Sequence, residues 1–325
     1  MKPFVSRPML IAAALLTPML HQGANATCGA SFCMVNTNWN LQGFAPEPGS
    51  VRFDVRYEYI KQDQPMSGSD RVAFGQIPRH HDELITTNRN WLMGVDYTFN
   101  ADWGVSATIP VVDRDHAHIH NHRGAQILDT WDFTRVGDVR VIGRRQWMTE
   151  DKEAARLSYY GVNFGLKLPS GDFDVVNSAG ARAERTLQPG TGTTDIILGG
   201  YYSGVLPFKD SSWFAQGLWQ SAFGSREDYK PGPRWTIDFG YRYELNGNVG
   251  LMLQLNALHR SRDSGAEAEP EDSGGKFLFL SPGISVAINK DVQIYGFLQF
   301  PLYQYVNGVQ LTADWSGLIG FSVKF

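Results

Sequence analysis

The stretch that decides the fold is residues 234–246, RWTIDFGYRYELN. Every second position from Trp235 to Tyr243 is large and apolar, and the positions between them are charged, polar or glycine. Strict alternation of this kind predicts a β-strand with one apolar and one polar face. The pattern recurs along 51–59 and 90–99, so several strands carry charges on one face and aromatic residues on the other.

The whole chain divides into about twelve such strands. Their predicted ranges are 50–62, 87–99, 103–113, 136–148, 155–168, 193–204, 212–223, 234–246, 249–261, 276–288, 291–304 and 310–325. Short connections alternate with long ones, and the long ones span 63–86, 114–135, 169–192, 224–233 and 262–275. Short periplasmic turns and long extracellular loops are typical of outer-membrane barrels. The predicted fold is therefore all-β, a single transmembrane antiparallel β-barrel of about twelve strands.

The first 26 residues have the pattern of an export signal. Lys2 and Arg7 give a positive start, 9–20 is an apolar run, and 24–26 (Ala-Asn-Ala) is a small-residue cleavage site. The run is shorter than the roughly 20 apolar residues of a spanning helix. We expect residues 1–26 to be a signal peptide that is removed on export.

The two cysteines of the chain, Cys28 and Cys33, lie in the segment 27–48 that precedes the predicted barrel, 49–325. An oxidising compartment favours a small local disulfide between them, and metal binding by the two thiols is the alternative. We expect 27–48 to be a periplasmic segment or a plug inside the barrel lumen.

The last predicted strand also indicates an outer-membrane location. One predicted face of the last strand consists of Leu311, Ala313, Trp315, Gly317, Ile319, Phe321, Val323 and Phe325. A terminal Phe preceded by alternating apolar residues resembles the signal that the barrel-assembly machinery recognises. We therefore expect a place in the outer membrane of a Gram-negative bacterium, with that machinery, membrane lipids and lipopolysaccharide as partners. A soluble β-sandwich is the competing interpretation of the alternation alone.

The amino-acid composition excludes one class of partner and agrees with a membrane barrel. The formal charge is −4 and no strongly basic patch is evident, which excludes nucleic acid as a partner. An aromatic content of 13% suits a barrel whose strands carry aromatic girdles at the membrane interfaces.

Two neighbouring stretches carry a family resemblance. A predicted strand ends in Leu-Pro-Ser-Gly within 166–171 (LKLPSG), and the chain returns to the next strand through 184–195 (ERTLQPGTGTTD). These stretches resemble the outer-membrane barrels of the "MetA-pathway of phenol degradation" transporter family. The resemblance covers about 30 residues and implies passage of small solutes, often hydrophobic or aromatic, across the outer membrane. It brings no catalytic residues.

The charged positions of the strands are predicted to face the lumen, because Arg or Lys facing lipid at the midplane costs about 2–4 kcal/mol. These candidate pore-lining residues are Arg52, Asp54, Arg56, Glu58, Arg140, Arg144, Arg234, Asp238, Arg242 and Glu244, with Asp138 beside them. They either line a narrow hydrated pore or form a salt-bridged filling that closes the barrel. A count of twelve strands does not decide between the two, since it lies between filled barrels and open porins.

Histidine is concentrated in the first two long loops. His116, His118, His120 and His122 occupy every second position and share one face if the segment is extended. His80 and His81, followed by Asp82 and Glu83, lie in the neighbouring loop. Neutral imidazoles bind zinc, copper and nickel, so these six histidines are candidate metal ligands. The competing interpretation is a polar loop whose histidines bond to one another and to Asp113 and Asp115; a pH-sensitive loop is a weaker variant.

A His-x-Ser pair is the basis for a hydrolase as an alternative function. His259 and Ser261 end a predicted strand on its apolar face, an arrangement similar to the catalytic pair of outer-membrane phospholipase A. That family has Asn-Gly after the serine, whereas this chain has Arg262-Asp263.

The leading functional prediction is an outer-membrane channel or transporter for small solutes, including hydrophobic or aromatic ones, which requires no cofactor and is not an enzyme. The first alternative is a surface metal-binding barrel that handles copper or zinc. The second is a lipid hydrolase, and a soluble adhesin or lectin comes last.

Overall fold

The computed structural model describes residues 47–78, 80–122, 124–151, 156–206 and 210–325. The predicted signal peptide, the Cys28–Cys33 disulfide and nearly all of the predicted plug 27–48 lie outside the described residues. So does the side chain of His122.

Fifteen β-strands form one antiparallel sheet in the described part of the chain. They are β1 (Val51–Gln62), β2 (Gln64–Gly68), β3 (Asp70–Arg71), β4 (His81–Thr98), β5 (Trp103–His122), β6 (Ala125–Val136), β7 (Arg140–Asp151), β8 (Arg156–Lys167), β9 (Asp195–Val205), β10 (Ser211–Ala222), β11 (Arg234–Asn246), β12 (Val249–Arg260), β13 (Gly275–Ala287), β14 (Val292–Thr312) and β15 (Ser316–Lys324).

Twelve of these strands close into a barrel. β1 pairs with β4, then each barrel strand pairs with the next through β5, β7 and β8 to β15. β15 returns to β1 in a register that runs from Arg52 opposite Lys324 to Ile60 opposite Ser316. The prediction of a twelve-stranded antiparallel β-barrel is confirmed.

The two faces of β11 show why these residues form a barrel wall. Trp235, Ile237 and Phe239 are between 47% and 63% exposed, whereas Thr236 and Asp238 are about 5% exposed. The apolar face therefore points away from the barrel and the polar face points into it. The same outward belt of exposed apolar side chains continues on the other strands and matches the lipid-facing band of outer-membrane barrels. The protein is an outer-membrane β-barrel.

The short connections use one repeated device. The side-chain oxygens of Asn100, Asn246 and Asn289 each accept hydrogen bonds from the backbone N–H groups two and three residues further on, at 2.8–3.0 Å. An asparagine that closes its own turn in this way allows a tight reversal between strands. We call the end of the barrel that carries these connections the turn end, and the opposite end the loop end. Long loops face the outside of the cell in such barrels.

Two predicted loops contain β-structure. β4 begins at His81 instead of residue 87, and β5 continues to His122 instead of ending at residue 113. Beyond the barrel, β5 pairs with β6, from Val111 opposite Val136 to His122 opposite Ala125. The period-two spacing of the histidines was itself a strand pattern, but their polarity suggested a loop. The first loop also holds the hairpin of β2 and β3.

The predicted last strand was too long. β14 continues to Thr312 and β15 begins at Ser316, so the chain reverses between them. Leu311 is fully buried and pairs with Pro65 of β2, whereas Trp315 is 46% exposed. The predicted single face from Leu311 to Phe325 is therefore wrong at its start, because Leu311 belongs to β14 and Ala313 lies in the connection. No helix in the described residues is long and apolar enough to cross a membrane.

We predict that Leu255→Arg strongly destabilises the barrel. Leu255 lies opposite Phe239 near the middle of β11 and β12 and faces outward, so the guanidinium would enter the hydrocarbon layer. The expected loss in the free energy of unfolding is about 2–4 kcal/mol, measured by denaturant titration in lipid vesicles. Leu245→Arg, at an exposed position near the turn end, is the control and should cost about 0–1 kcal/mol. Equal losses would contradict the assigned membrane position.

Candidate functional site: the loop end of the lumen

The turn-end half of the lumen is crossed by bonded side chains. Arg144 donates to Asp96 at 2.5 Å and to Thr98 at 2.6 Å, and Arg242 donates to Glu244 at 2.7 Å. Tyr295 donates to the carboxylate of Asp54 at 2.9 Å. Buried charges in this half are therefore paired, as the salt-bridged interpretation of the lumen required.

A second set of bonds continues this network around the wall. Asn256 donates to Asp238 at 2.9 Å and accepts from Ser281 at 2.8 Å, and Arg52 donates to Ser322 at 3.2 Å. The structure thus places six predicted pore-lining residues in the bonded part of the interior: Arg52, Asp54, Arg144, Asp238, Arg242 and Glu244.

The loop-end half contains a cavity of about 260 Å³. Its wall includes strands from all sides of the barrel, and four of the predicted pore-lining residues border it. These four residues are Arg56, Glu58, Arg140 and Arg234, and Asp138 joins them. Seven basic side chains line this cavity against three acidic ones. The basic ones are Arg56, Arg114, Arg140, Lys167, Arg185, Arg234 and Arg260; the acidic ones are Glu58, Asp138 and Asp195.

The connection between β8 and β9, residues 168–194, folds inward over this cavity; we call it the inward loop. Leu187 at its centre is fully buried in an apolar cluster with Val112, Trp131 and Phe133. Arg114 of β5 donates to the carbonyl of Leu187 at 2.5 Å, which holds the loop against β5. The loop then contributes its own residues to the cavity: Arg185, Thr186, Gln188, Pro189 and Thr191.

Asp138 fixes both ends of the inward loop. One carboxylate oxygen accepts from the backbone N–H of Gly171 at 3.1 Å, and the other accepts from that of Thr191 at 2.9 Å. The second oxygen also accepts from Lys167 at 2.7 Å, and Lys167 lies 3.2 Å from Asp195. All three charged side chains are more than 90% buried, so each stabilises the others in a water-poor setting.

Two glycines make this approach possible. A Cβ atom at Gly171 would lie 2.7–2.8 Å from the backbone of Gly137 and Asp138, and one at Gly190 would lie 2.6 Å from the carbonyl oxygen of Gly171. Neither position has room for a side chain. The Leu-Pro-Ser-Gly and Gln-Pro-Gly stretches are therefore the base of the inward loop.

Arg185 joins the inward loop to the connection between β10 and β11. Its guanidinium donates to the carbonyls of Thr191 at 3.0 Å and Arg226 at 3.2 Å. It also lies over the rings of Phe173 and Tyr229, about 5 Å from each centroid. A cation held between aromatic faces and carbonyls is well fixed, so the loop presents a rigid surface to the cavity.

The histidines of β4 and β5 meet on one inward face beyond the barrel. His116 Nε2 lies 3.3 Å from His118 Nδ1 and 3.2 Å from Glu83 Oε2. His80 Nε2 lies 3.2 Å from His120 Nε2, and His80 Nδ1 lies 3.2 Å from His81 Nε2. The extended segment thus brings five of the six predicted histidines together, in two groups of three ligand atoms: Glu83, His116 and His118, and His80, His81 and His120.

The proposed partners of these histidines were wrong in part. Asp113 and Asp115 face the other side of β5, where both bind Arg89, and the Nε–Oδ1 contact to Asp113 is 3.1 Å. The carboxylates near the imidazoles are instead Glu83, Glu184 and Asp129. Burial, reinforced by neighbouring imidazoles, lowers the pKa of His118 to about 3 and that of His116 well below its ordinary value. Both rings are therefore neutral at physiological pH.

The predicted hydrolase pair does not form a bonded dyad. His259 is exposed on the outer face, opposite Trp235 and Lys276, and Ser261 donates its backbone N–H to the carbonyl of Pro233. In the described part of the chain, no hydrogen bond joins the imidazole of His259 to the hydroxyl of Ser261.

The sequence reasoning missed several residues of the loop end. Four of them lie within the two stretches that carried the family resemblance: Lys167, Glu184, Arg185 and Asp195. Their charge could have marked them as candidate site residues, but charge alone did not show that the loop turns inward. Arg114 was missed because it fell in a segment predicted as a loop.

Comparison with solved structures agrees with the fold. The structure is similar to the COG4313 outer membrane channel from Pseudomonas putida F1, with a TM-score of 0.63 at 13% identity over 86% of this chain and 97% of the other. It is also similar to the NanC porin, with a TM-score of 0.46 at 13% identity over 84% of this chain and 100% of the other. No protein-family model and no curated protein matches the sequence.

We predict that Asp138→Ala destabilises the protein by about 3–5 kcal/mol, because it leaves a buried cation short of a partner and removes both anchors of the inward loop. Denaturant titration in vesicles measures this loss. Asp172→Ala is the matched control, since Asp172 forms an exposed ion pair with Arg135 nearby and should cost at most about 1 kcal/mol. A loss no larger than that of the control would show that Asp138 is not the anchor.

Proposed function

We propose that this barrel is a channel that conducts small organic anions across the outer membrane. The observation that carries the proposal is the cavity at the loop end, where seven basic side chains face three acidic ones. The acidic ones are already engaged: Asp138 and Asp195 with Lys167, and Glu58 with Arg56 at 3.2 Å. Two further cations also have carboxylate partners: Arg260 lies 2.7 Å from Asp263, and Arg185 lies 3.5 Å from Glu227. The positive charge left for a solute therefore comes chiefly from Arg140 and Arg234.

Arg140 and Arg234 are the best candidates for contact with that solute. Both line the main cavity, and both also line an adjoining cavity of about 40 Å³. Within the described residues neither guanidinium has a side-chain hydrogen bond or an ion pair. Guanidinium groups bind carboxylates through parallel N–H donors, so two such groups that line one cavity form a suitable anion site.

Apolar side chains beside the two arginines suit the rest of an organic anion. Leu92 and Val112 line the cavity from β4 and β5, next to β7, and Leu258 and Phe277 line it from β12 and β13, next to β11. Apolar surface next to guanidinium groups favours a carboxylate with an apolar body, which agrees with the small, often aromatic, solutes implied by the family resemblance. The channel described for the similar barrel of Pseudomonas putida F1 is further support for conduction.

We predict anion-selective conductance from single barrels in planar bilayers. Under a salt gradient the reversal potential should indicate preference for anions, and liposomes should admit benzoate faster than a neutral sugar of similar size. Arg140→Gln and Arg234→Gln should each lower the anion preference by about fivefold, which corresponds to about 1 kcal/mol of lost attraction.

The matched control is Lys290→Gln, which removes a positive charge from a turn-end connection where the side chain is 89% exposed. It should leave selectivity unchanged. Absence of conductance would overturn the channel, and cation preference or equal effects of the three variants would overturn the role of the basic cavity.

A further inference from the structure

The two buried carboxylates near the histidines belong to different parts of the chain. Glu83 is in β4, whereas Glu184 is in the inward loop, and their side chains are 3% and 8% exposed. Glu184 Oε1 lies 3.5 Å from His81 Nδ1 and 3.9 Å from His118 Nδ1. The inward loop thus delivers an acidic group to the face where β4 and β5 present their imidazoles.

We propose that Glu83, His116, His118 and Glu184 form a binding site for a divalent transition metal of the zinc class. One ligand atom from each of Glu83, His116 and His118 lies within 4.8 Å of the others. Imidazoles and carboxylates that converge in this way form a donor set typical of transition-metal sites.

The distances suit such an ion. Ligand atoms about 2.0–2.2 Å from a tetrahedral zinc are about 3.4 Å apart. His116 Nε2 is 3.2 Å from Glu83 and 3.3 Å from His118 Nδ1, which matches this spacing before any adjustment. Glu184, at 3.9 Å from His118, needs a small movement of a flexible side chain.

The far nitrogen of each imidazole also faces an oxygen. His116 Nδ1 lies 2.8 Å from the hydroxyl of Thr86, and His118 Nε2 lies 3.9 Å from Asp129 of β6. Metal-binding histidines usually donate their second N–H to an oxygen, which fixes the ring and turns the other lone pair toward the ion. Thr86 provides this bond for His116, and the carboxylate of Asp129 stands on the corresponding side of His118.

The types of ligand atom limit which metal ions the site can bind. Two imidazoles and two carboxylates suit zinc, copper or nickel, whereas magnesium and calcium prefer oxygen ligands alone. The metal would also connect the inward loop to the extended β4–β5 wall through Glu184. This inference concerns binding and does not depend on conduction by the barrel.

Calorimetric titration of the chelator-treated, detergent-purified full chain tests the proposal. ZnSO₄ should bind with one tight site per chain, and MgSO₄ should give no heat at the same concentrations. His116→Ala with His118→Ala should abolish the tight site. Glu184→Gln should weaken zinc binding at least about tenfold, and since this residue is in a loop, its loss does not prevent the barrel from forming.

Two controls make the result decisive. His259→Ala removes an imidazole from the outer face of β12 and should leave zinc affinity unchanged. His80→Ala with His120→Ala removes the second group of histidines and should leave the tight site intact. The proposal fails if the wild type shows no tight zinc site, or if Glu184→Gln has no effect while loss of His80 and His120 abolishes binding.

Discussion

The closure of the sheet between β1 and β15 is the constraint on which the rest of the structure depends. Lipid offers no partner to a backbone N–H or C=O group, so an open edge cannot exist inside the membrane. The register from Arg52 opposite Lys324 to Ile60 opposite Ser316 removes that edge. Closure in turn forces every polar strand face to one interior, and this is why so many charged side chains share a narrow lumen.

The charged side chains of the lumen are arranged differently at its two ends. At the turn end, cations and anions pair directly, as in Arg144 with Asp96, and the interior is bonded across. At the loop end, more basic than acidic side chains line the cavity, and within the described residues neither Arg140 nor Arg234 forms an ion pair. Of the two interpretations that the sequence left open, the bonded filling describes the turn end, whereas the loop end contains a cavity.

The sequence predicted the barrel well because the barrel is a local pattern repeated twelve times. Strict alternation shows directly which residues form a strand and which of them share a face. The boundaries of β11 were predicted to the residue. The loop end was predicted poorly because it depends on contacts between distant segments. The spacing of His116, His118 and His120 was visible, but the approach of Glu184 depends on Asp138 holding Gly171 and Thr191 together, and no periodicity encodes that.

The inward loop places two neighbouring residues at two different sites, the group of histidines and the basic cavity. Glu184 faces the imidazoles of β4 and β5, whereas Arg185 lines the basic cavity and is fixed between Phe173 and Tyr229. One peptide unit separates them, so a ligand that binds at one of these sites also restrains the backbone at the other. If a metal binds at Glu184 and an anion binds in the cavity, linkage requires that each alters the affinity of the other by the same factor. The anchoring of the loop through Asp138 limits that coupling, because a loop already held at both ends has little freedom left to lose.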